Sequence, residues 1–241
     1  MNIDFFKYSD KGERDVNEDS VGSYSNGNYY AFALCDGLGG HGKGEVASQT
    51  VVEALLTKSV KVSHGRDFLT ECFEFANESV LNKQKEDSVL RDMKTTAVFL
   101  VLDNDKASWG HIGDSRLYFF RKNKYVERTL DHSVPQMLAA TGEIKEKDIR
   151  HHEDRNKLLR CIPWMNKKYD IDKIDFNIQP NDCFLIMSDG FWDWVDEKAM
   201  KKCVKKGKSA EETGKLLIKE AFKNGKGNNM DNLSVIVVKI M

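Results

Sequence analysis

The sequence predicts an α+β fold in which helices stand apart from an antiparallel β core. Three observations carry this reading. Apolar residues recur at helical spacing in two separate blocks, near residues 45–83 and 197–222. A run of short β-like segments fills residues 95–128, and its connections are only a few residues long. A parallel crossover needs about a dozen residues or more, so neighbours joined this closely should pair antiparallel. The order of strands, two helices, many strands, helices and a strand points to two sheets with helices outside.

Taken in order, Ser20 to Tyr24 and Tyr29 to Cys35 read as strands joined by Ser25-Asn26-Gly27-Asn28, and Asn-Gly between such runs is a hairpin signal. The glycine-rich stretch Gly37 to Gly44 follows. Val46, Ala47, Val51, Ala54 and Leu55 then make an amphipathic helix of Glu45 to Val60. A second helix, about Asp67 to Lys83, carries the stripe Phe68, Leu69, Cys72, Phe75, Ala76 and Val80. Thr95 to Leu102, Ala107 to Ile112, Arg116 to Arg121 and Tyr125 to Arg128, linked by Asn104-Asp105, Gly113-Asp114 and Lys122-Asn123, predict an antiparallel meander.

A short helix near Val134 to Ala140 opens a charged stretch with Lys145, Lys147, Arg150, His151, His152, Arg155 and Lys157, which reads as a surface flap at about 132–168. Strands return at Ile171 to Ile178 and Cys183 to Met187, helices at Glu197 to Lys205 and Ala210 to Phe222, and a last strand at Leu233 to Ile240. With 241 residues and no repeat or linker, the chain suits one domain, 1–241.

Composition narrows the function. Lys and Arg total 37 against 38 Asp and Glu, which gives no general attraction to nucleic acid or an acidic membrane. Met1 to Tyr8 lacks the apolar core of a secretory signal, and the most apolar runs fall short of the roughly 20 residues of a spanning helix. A soluble, cytoplasmic protein is expected. Five cysteines without a CxxC pair suggest buried reduced thiols rather than disulfides or zinc.

Asp36, Asp114, Asp189 and Asp231 each stand at the end of an apolar run or in the turn beside it. Singly, such acids are ordinary turn residues. Together they can converge, and oxygen donors suit hard ions such as Mg²⁺ or Mn²⁺. Glycine beside Asp36, Asp114 and Asp189 lets an ion approach the backbone, and the Gly37 carbonyl is a further candidate ligand. Arg14, next to Glu18 and Asp19, is either half of a solvated ion pair or a fork for phosphate. A competing reading takes Gly37-Leu38-Gly39-Gly40-His41-Gly42-Lys43-Gly44 as a nucleotide-binding P-loop, although Gly44 stands where that motif needs Ser or Thr.

At these residues the chain resembles the metal-dependent protein phosphatases of type 2C, in their bacterial single-domain form. Seven segments carry the resemblance in the family's order from Arg14 to Ile240: Arg14-x-x-Asn17-Glu18-Asp19, Asp36-Gly37-Leu38-Gly39-Gly40-His41, Thr95-Thr96-Ala97, Gly113-Asp114-Ser115-Arg116-Leu117-Tyr118, Asp131-His132-Ser133, Ser188-Asp189-Gly190-Phe191-Trp192-Asp193 and Asp231-Asn232-Leu233-Ser234. The resemblance implies a four-layer α-β-β-α sandwich, two stacked antiparallel sheets flanked by helix pairs, with metals in a cleft at one end. It implies that Asp36 bridges two ions, Mn²⁺ or Mg²⁺, that Gly37 and Glu18 serve one and Asp189 and Asp231 the other, and that Asp114 with Asp189 holds a third, weaker ion. Asp19 would orient water and Arg14 would grip the phosphate of a phosphoserine or phosphothreonine protein. A hydroxide bridging the ions would attack in line. His41, or a metal-bound water near Asp114, would protonate the leaving group, because Leu38 replaces the histidine of eukaryotic members. A second departure is Arg160-Cys161-Ile162-Pro163-Trp164 after the flap, where Pro163 stiffens the exit. Trp192 and Trp194 are expected to pack in the core. A monomer with a cognate serine/threonine kinase is the family expectation, and a non-catalytic pseudophosphatase is the alternative on the same scaffold.

Overall fold

The computed structural model describes residues 2–38, 43–61, 65, 67–165 and 170–241. In chain order its elements are β1 (Ile3–Asp10), β2 (Asp19–Asn26), β3 (Tyr29–Leu38), α1 (Gly44–Ser59), α2 (Phe68–Glu86), β4 (Lys94–Thr95), β5 (Ala97–Asp103), β6 (Lys106–Ile112), β7 (Arg116–Arg121) and β8 (Lys124–Arg128). They continue as α3 (Val134–Ala140), β9 (Asp170–Asn177), β10 (Asp182–Met187), α4 (Asp189–Trp192), α5 (Glu197–Lys206), α6 (Ala210–Gly225) and β11 (Leu233–Ile240). Among the described residues no helix is long and apolar enough to cross a membrane.

The strands form two sheets, ordered β1-β11-β10-β7-β8 and β2-β3-β5-β6-β9, with β4 added beside β3. Their apolar runs are continuous because both faces of each sheet are buried. In β5, Ala97, Phe99 and Val101 face the helices α1 and α2, while Val98, Leu100 and Leu102 face the other sheet. In β10, Cys183, Leu185 and Met187 face α5 and α6, while Phe184 and Ile186 turn inward to meet them. The period of two along a strand thus feeds three hydrophobic layers, which is the expected α-β-β-α sandwich. Helix starts are marked in the sequence: Asp196 caps α5 by accepting from Ala199 N at 2.7 Å, and Ser209 caps α6 by accepting from Glu212 N at 3.0 Å.

Two expectations are corrected. The meander breaks at its centre, because β6 pairs with β5 and β9 while β7 pairs with β8 and β10. Gly113, at φ 106°, turns the chain from one sheet into the other, so a three-residue connection joins layers rather than neighbours. The P-loop reading also falls, since every strand pairing is antiparallel and no βαβ unit exists among the described residues. Lys43 instead precedes α1 in a left-handed conformation and pairs with Glu45 at 3.7 Å. Strand β1, which pairs along its whole length with β11, was not expected from the sequence, nor was the single turn α4.

Register decides where the acids emerge. Met187 lies opposite both Arg116 and Val235, so Asp189, Asp114 and Asp231 leave the first sheet at one edge. Asp19 lies opposite Asp36, and Ala97 opposite Ile112, which brings the second sheet's acids to that same edge.

Candidate metal centre

A cleft of about 610 Å³ opens at this edge, and Arg14, Glu18, Asp36, Gly37, Asp114, Asp189 and Asp231 are all on its walls. Asp19 stands behind them, 6% exposed, and accepts the Ser188 hydroxyl at 2.8 Å on Oδ2. His41 lies outside the described residues. Val16, Leu38, Asn156, Leu158 and Asn232 complete the walls, two of them from the stretch read as a flap.

Each acid is held by its backbone. Asp36 N donates to Thr96 Oγ1 at 3.0 Å, and its carbonyl accepts from Thr96 N and Thr95 Oγ1, both at 2.8 Å. Asp114 is fixed by the Trp192 indole, whose Nε1 donates to its carbonyl at 3.0 Å. Gly113 exchanges two hydrogen bonds with His132, at 3.0 and 2.8 Å, so the turn that carries Asp114 is tied to the start of the 132–168 stretch. Gly190 follows Asp189 where a Cβ would lie 2.3 Å from the Asn232 carbonyl, so only glycine lets α4 start against the approach to β11.

The carboxyls repel one another. Burial, followed by the charges of Asp189, Asp19 and Asp114, pushes Asp36 well above the usual carboxylate range. Burial and then Asp189 and Asp131 do the same to Asp114. Burial also raises Glu18 and Asp189, and it lifts Asp19 to about 7 despite the hydroxyls of Ser234 and Ser188. A hydrogen bond between Asp36 and Asp189 adds to the rise at Asp36 and opposes it at Asp189. On the open side, Arg14 Nη2 donates to Asp231 Oδ2 at 2.8 Å.

No three His, Cys, Asp or Glu side chains among the described residues already surround one point. Hard divalent ions ask for less, because they keep several waters and take a few carboxylates each. An all-oxygen donor set whose members destabilise one another's charges is chemically fit for such cations.

The relatives of the chain settle its ancestry. A sequence model described as Protein phosphatase 2C matches residues 9–217. The chain belongs to the protein phosphatase 2C family. It is 30% identical over 239 residues to the serine/threonine phosphatase stp of Listeria welshimeri, an alignment that spans 96% of this chain and 93% of that one. The crystal structure of serine/threonine phosphatase Stp1 from Staphylococcus aureus superposes with a TM-score of 0.88 at 27% identity, covering 100% of this chain and 96% of the other. The catalytic domain of the serine/threonine phosphatase PstP, solved in complex with two manganese ions, gives 0.82 at 26% identity, covering 98% and 97%.

Within this 2C fold, several residues at the cleft were not singled out by sequence reasoning. Asn232 accepts from Glu18 N at 2.8 Å and donates to the carbonyls of Lys11 and Val16, both at 2.9 Å, which clamps the Arg14 loop onto β11. Ser188 links Asp19 to Ser234 N, the latter at 3.0 Å. Arg155 forms an ion pair with Asp193 and so ties the flap stretch to α4. Ser188 and Asn232 stood in the sequence only as neighbours of Asp189 and Asp231 within two of the resembling segments, and Arg155 only as one charge of the flap stretch. Trp192 is buried as expected, but it also positions Asp114.

Proposed function

We propose that this chain hydrolyses phosphoserine and phosphothreonine in proteins with the help of divalent cations. The observation that carries the reading is one cleft of a 2C-family fold walled by Arg14 on one side and by Glu18, Asp36, Asp189 and Asp231 around it. We assign Glu18, Asp36 and the Gly37 carbonyl to one ion, Asp36, Asp189 and Asp231 to another, and Asp114 with Asp189 to a third, weaker one. Manganese or magnesium bound there would lower the pKa of water and offset the negative charge of the phosphate.

The chain's own groups do the rest. Arg14 is half exposed at the mouth, where its guanidinium fork can exchange Asp231 for two phosphate oxygens. Asp19 keeps Oδ1 buried without a hydrogen-bond partner, an acceptor free to orient an attacking water. Asn156 and Leu158 bring the 132–168 stretch, taken as a flap subdomain, against the substrate. We further take the chain to act as a cytoplasmic monomer opposite a serine/threonine kinase, a reading that rests on the family resemblance.

The test is release of phosphate from a phosphothreonine peptide in Mn²⁺. Chelator and Asp36→Asn should each abolish it, and turnover that survives both would end the assignment.

A further inference from the structure

Between the flap stretch and the start of α5 lies a second concavity of about 470 Å³ that the chemistry above does not use. Its floor is cationic. The side chains of Arg116, Arg128 and Arg150 are 3%, 4% and 13% exposed, and Lys147 stands beside them. Arg116 is matched from behind by the buried Asp131 through two bonds of 2.7 and 2.6 Å. Arg128 shares Asp131 at 3.4 Å and donates to the Thr129 carbonyl and Gln136 Oε1, and on the pocket side it meets Glu146 at 2.9 Å; Arg150 meets Glu197 at 3.3 Å, and the two glutamates are 66% and 40% exposed. Asp196, also on the wall, is committed as the cap of α5.

The asymmetry matters. A buried guanidinium needs a counter-charge, whereas an exposed glutamate gains little from supplying it. Arg150 Nη1, moreover, is buried and meets no acceptor. Orphaned buried donors are rare in native structures, and an ion is one of the usual reasons for them.

We propose that this pocket binds a phosphate-class oxyanion, and that Glu146 and Glu197 stand in for it when it is absent. The Arg150 fork, the pocket-side N–H of Arg128 and the Lys147 ammonium suit the oxygens of one tetrahedral anion better than they suit two separate carboxylates. The pocket is linked to the cleft through Trp192. Arg116 lies 3.5 Å from the centre of the Trp192 ring and Arg150 5.2 Å from it, and the same indole holds the Asp114 carbonyl. An anion that draws Arg150 away from the ring alters the support of Asp114. Free phosphate and a phosphoryl group elsewhere on a substrate chain present the same chemistry here.

The experiment is a titration of inorganic phosphate into the full chain while the Trp192 indole N–H resonance is followed. Replacing Glu146→Gln together with Glu197→Gln removes the resident charges with little change of shape and should tighten apparent affinity about tenfold. Arg150→Gln should weaken it by at least about tenfold. A double-glutamine variant that binds phosphate no better than wild type overturns the proposal, whether or not Arg150→Gln folds. A second arm compares KM for singly and doubly phosphorylated peptides. A lower KM for the doubly phosphorylated peptide that Arg150→Gln erases assigns the anion to the substrate, and equal KM values assign it to free phosphate. This arm rests on the phosphatase reading and the titration does not, so an inactive chain would lose that reading and keep the pocket.

Discussion

Asp36 is held in a place that suits a cation and not a free carboxylate, since burial and three neighbouring acids all oppose its charge. Asp36→Asn removes one of those charges, so the chelated protein should become more stable, by about 2–4 °C in Tm for each kcal/mol gained, while the rise in Tm that Mn²⁺ gives the wild type disappears. Differential scanning calorimetry with and without chelator reads both effects, and a variant that melts lower in chelator would contradict the repulsion. Arg116 and Asp131 behave in the opposite way, as an ion pair with both side chains 3% exposed or less. Asp131→Ala strands the guanidinium and should cost about 3–5 kcal/mol in urea unfolding. At this scale the sequence exposed the ligand candidates but not their partners. Asp36 and Asp189 stand out beside glycines at strand ends, yet nothing local says that Arg14 will meet Asp231, 217 positions away, or that Asn232 will bind the Arg14 loop from within β11's approach.

Among the elements, the exit of the flap stretch is tied most closely to the cleft. Ile162 and Thr95 exchange backbone hydrogen bonds, both at 2.8 Å, and the Thr95 hydroxyl in turn bonds the Asp36 carbonyl. Two residues further on, Trp164 N donates to the buried Asn77 Oδ1 of α2 at 2.6 Å. Asn77→Ala would leave that N–H without its acceptor, a cost of about 1–3 kcal/mol, and should loosen the strut, weakening Mn²⁺ binding by calorimetry with α2 still helical by circular dichroism. Unchanged ion affinity would mean that the exit and the cleft are independent. The longer helices were readable because their apolar stripes keep one period over many residues, whereas the four-residue α4 is too short to show one. Strand β1 was missed because only Ile3 is buried in it, so no clean alternation reaches the sequence. The crossing between β6 and β7 was missed because a short connection reads as a hairpin unless the φ of Gly113 is known.

For the whole molecule, the buried acids predict how stability changes with pH. Asp19 titrates near 7 in the folded chain against 3.8 for the free group, and Asp36, Asp114 and Asp189 are shifted in the same direction. Between those values the native state binds more protons than the unfolded one, so stability falls as pH rises. In chelator, Tm should therefore drop from about pH 5 to about pH 8, and Mn²⁺ should flatten or reverse the slope. A chelated protein that grows more stable over that range would show that the acids are already compensated. The four-layer plan was legible because two-sided burial produces continuous apolar strands, whereas the second, cationic concavity was not, since its arginines come from β7, β8 and the flap stretch. The position of β11 has one more consequence. It lies between β1 and β10, so the first sheet is split in two until Leu233–Ile240 is available. Without β11 in place β2, β3, β5, β6 and β9 can still pair, but β1 has no partner and Asp231, just ahead of β11, is not held beside the other acids. A molecule whose β11 detaches therefore keeps its second sheet and loses the acid-lined edge, so local opening of that one strand is enough to dismantle the cleft.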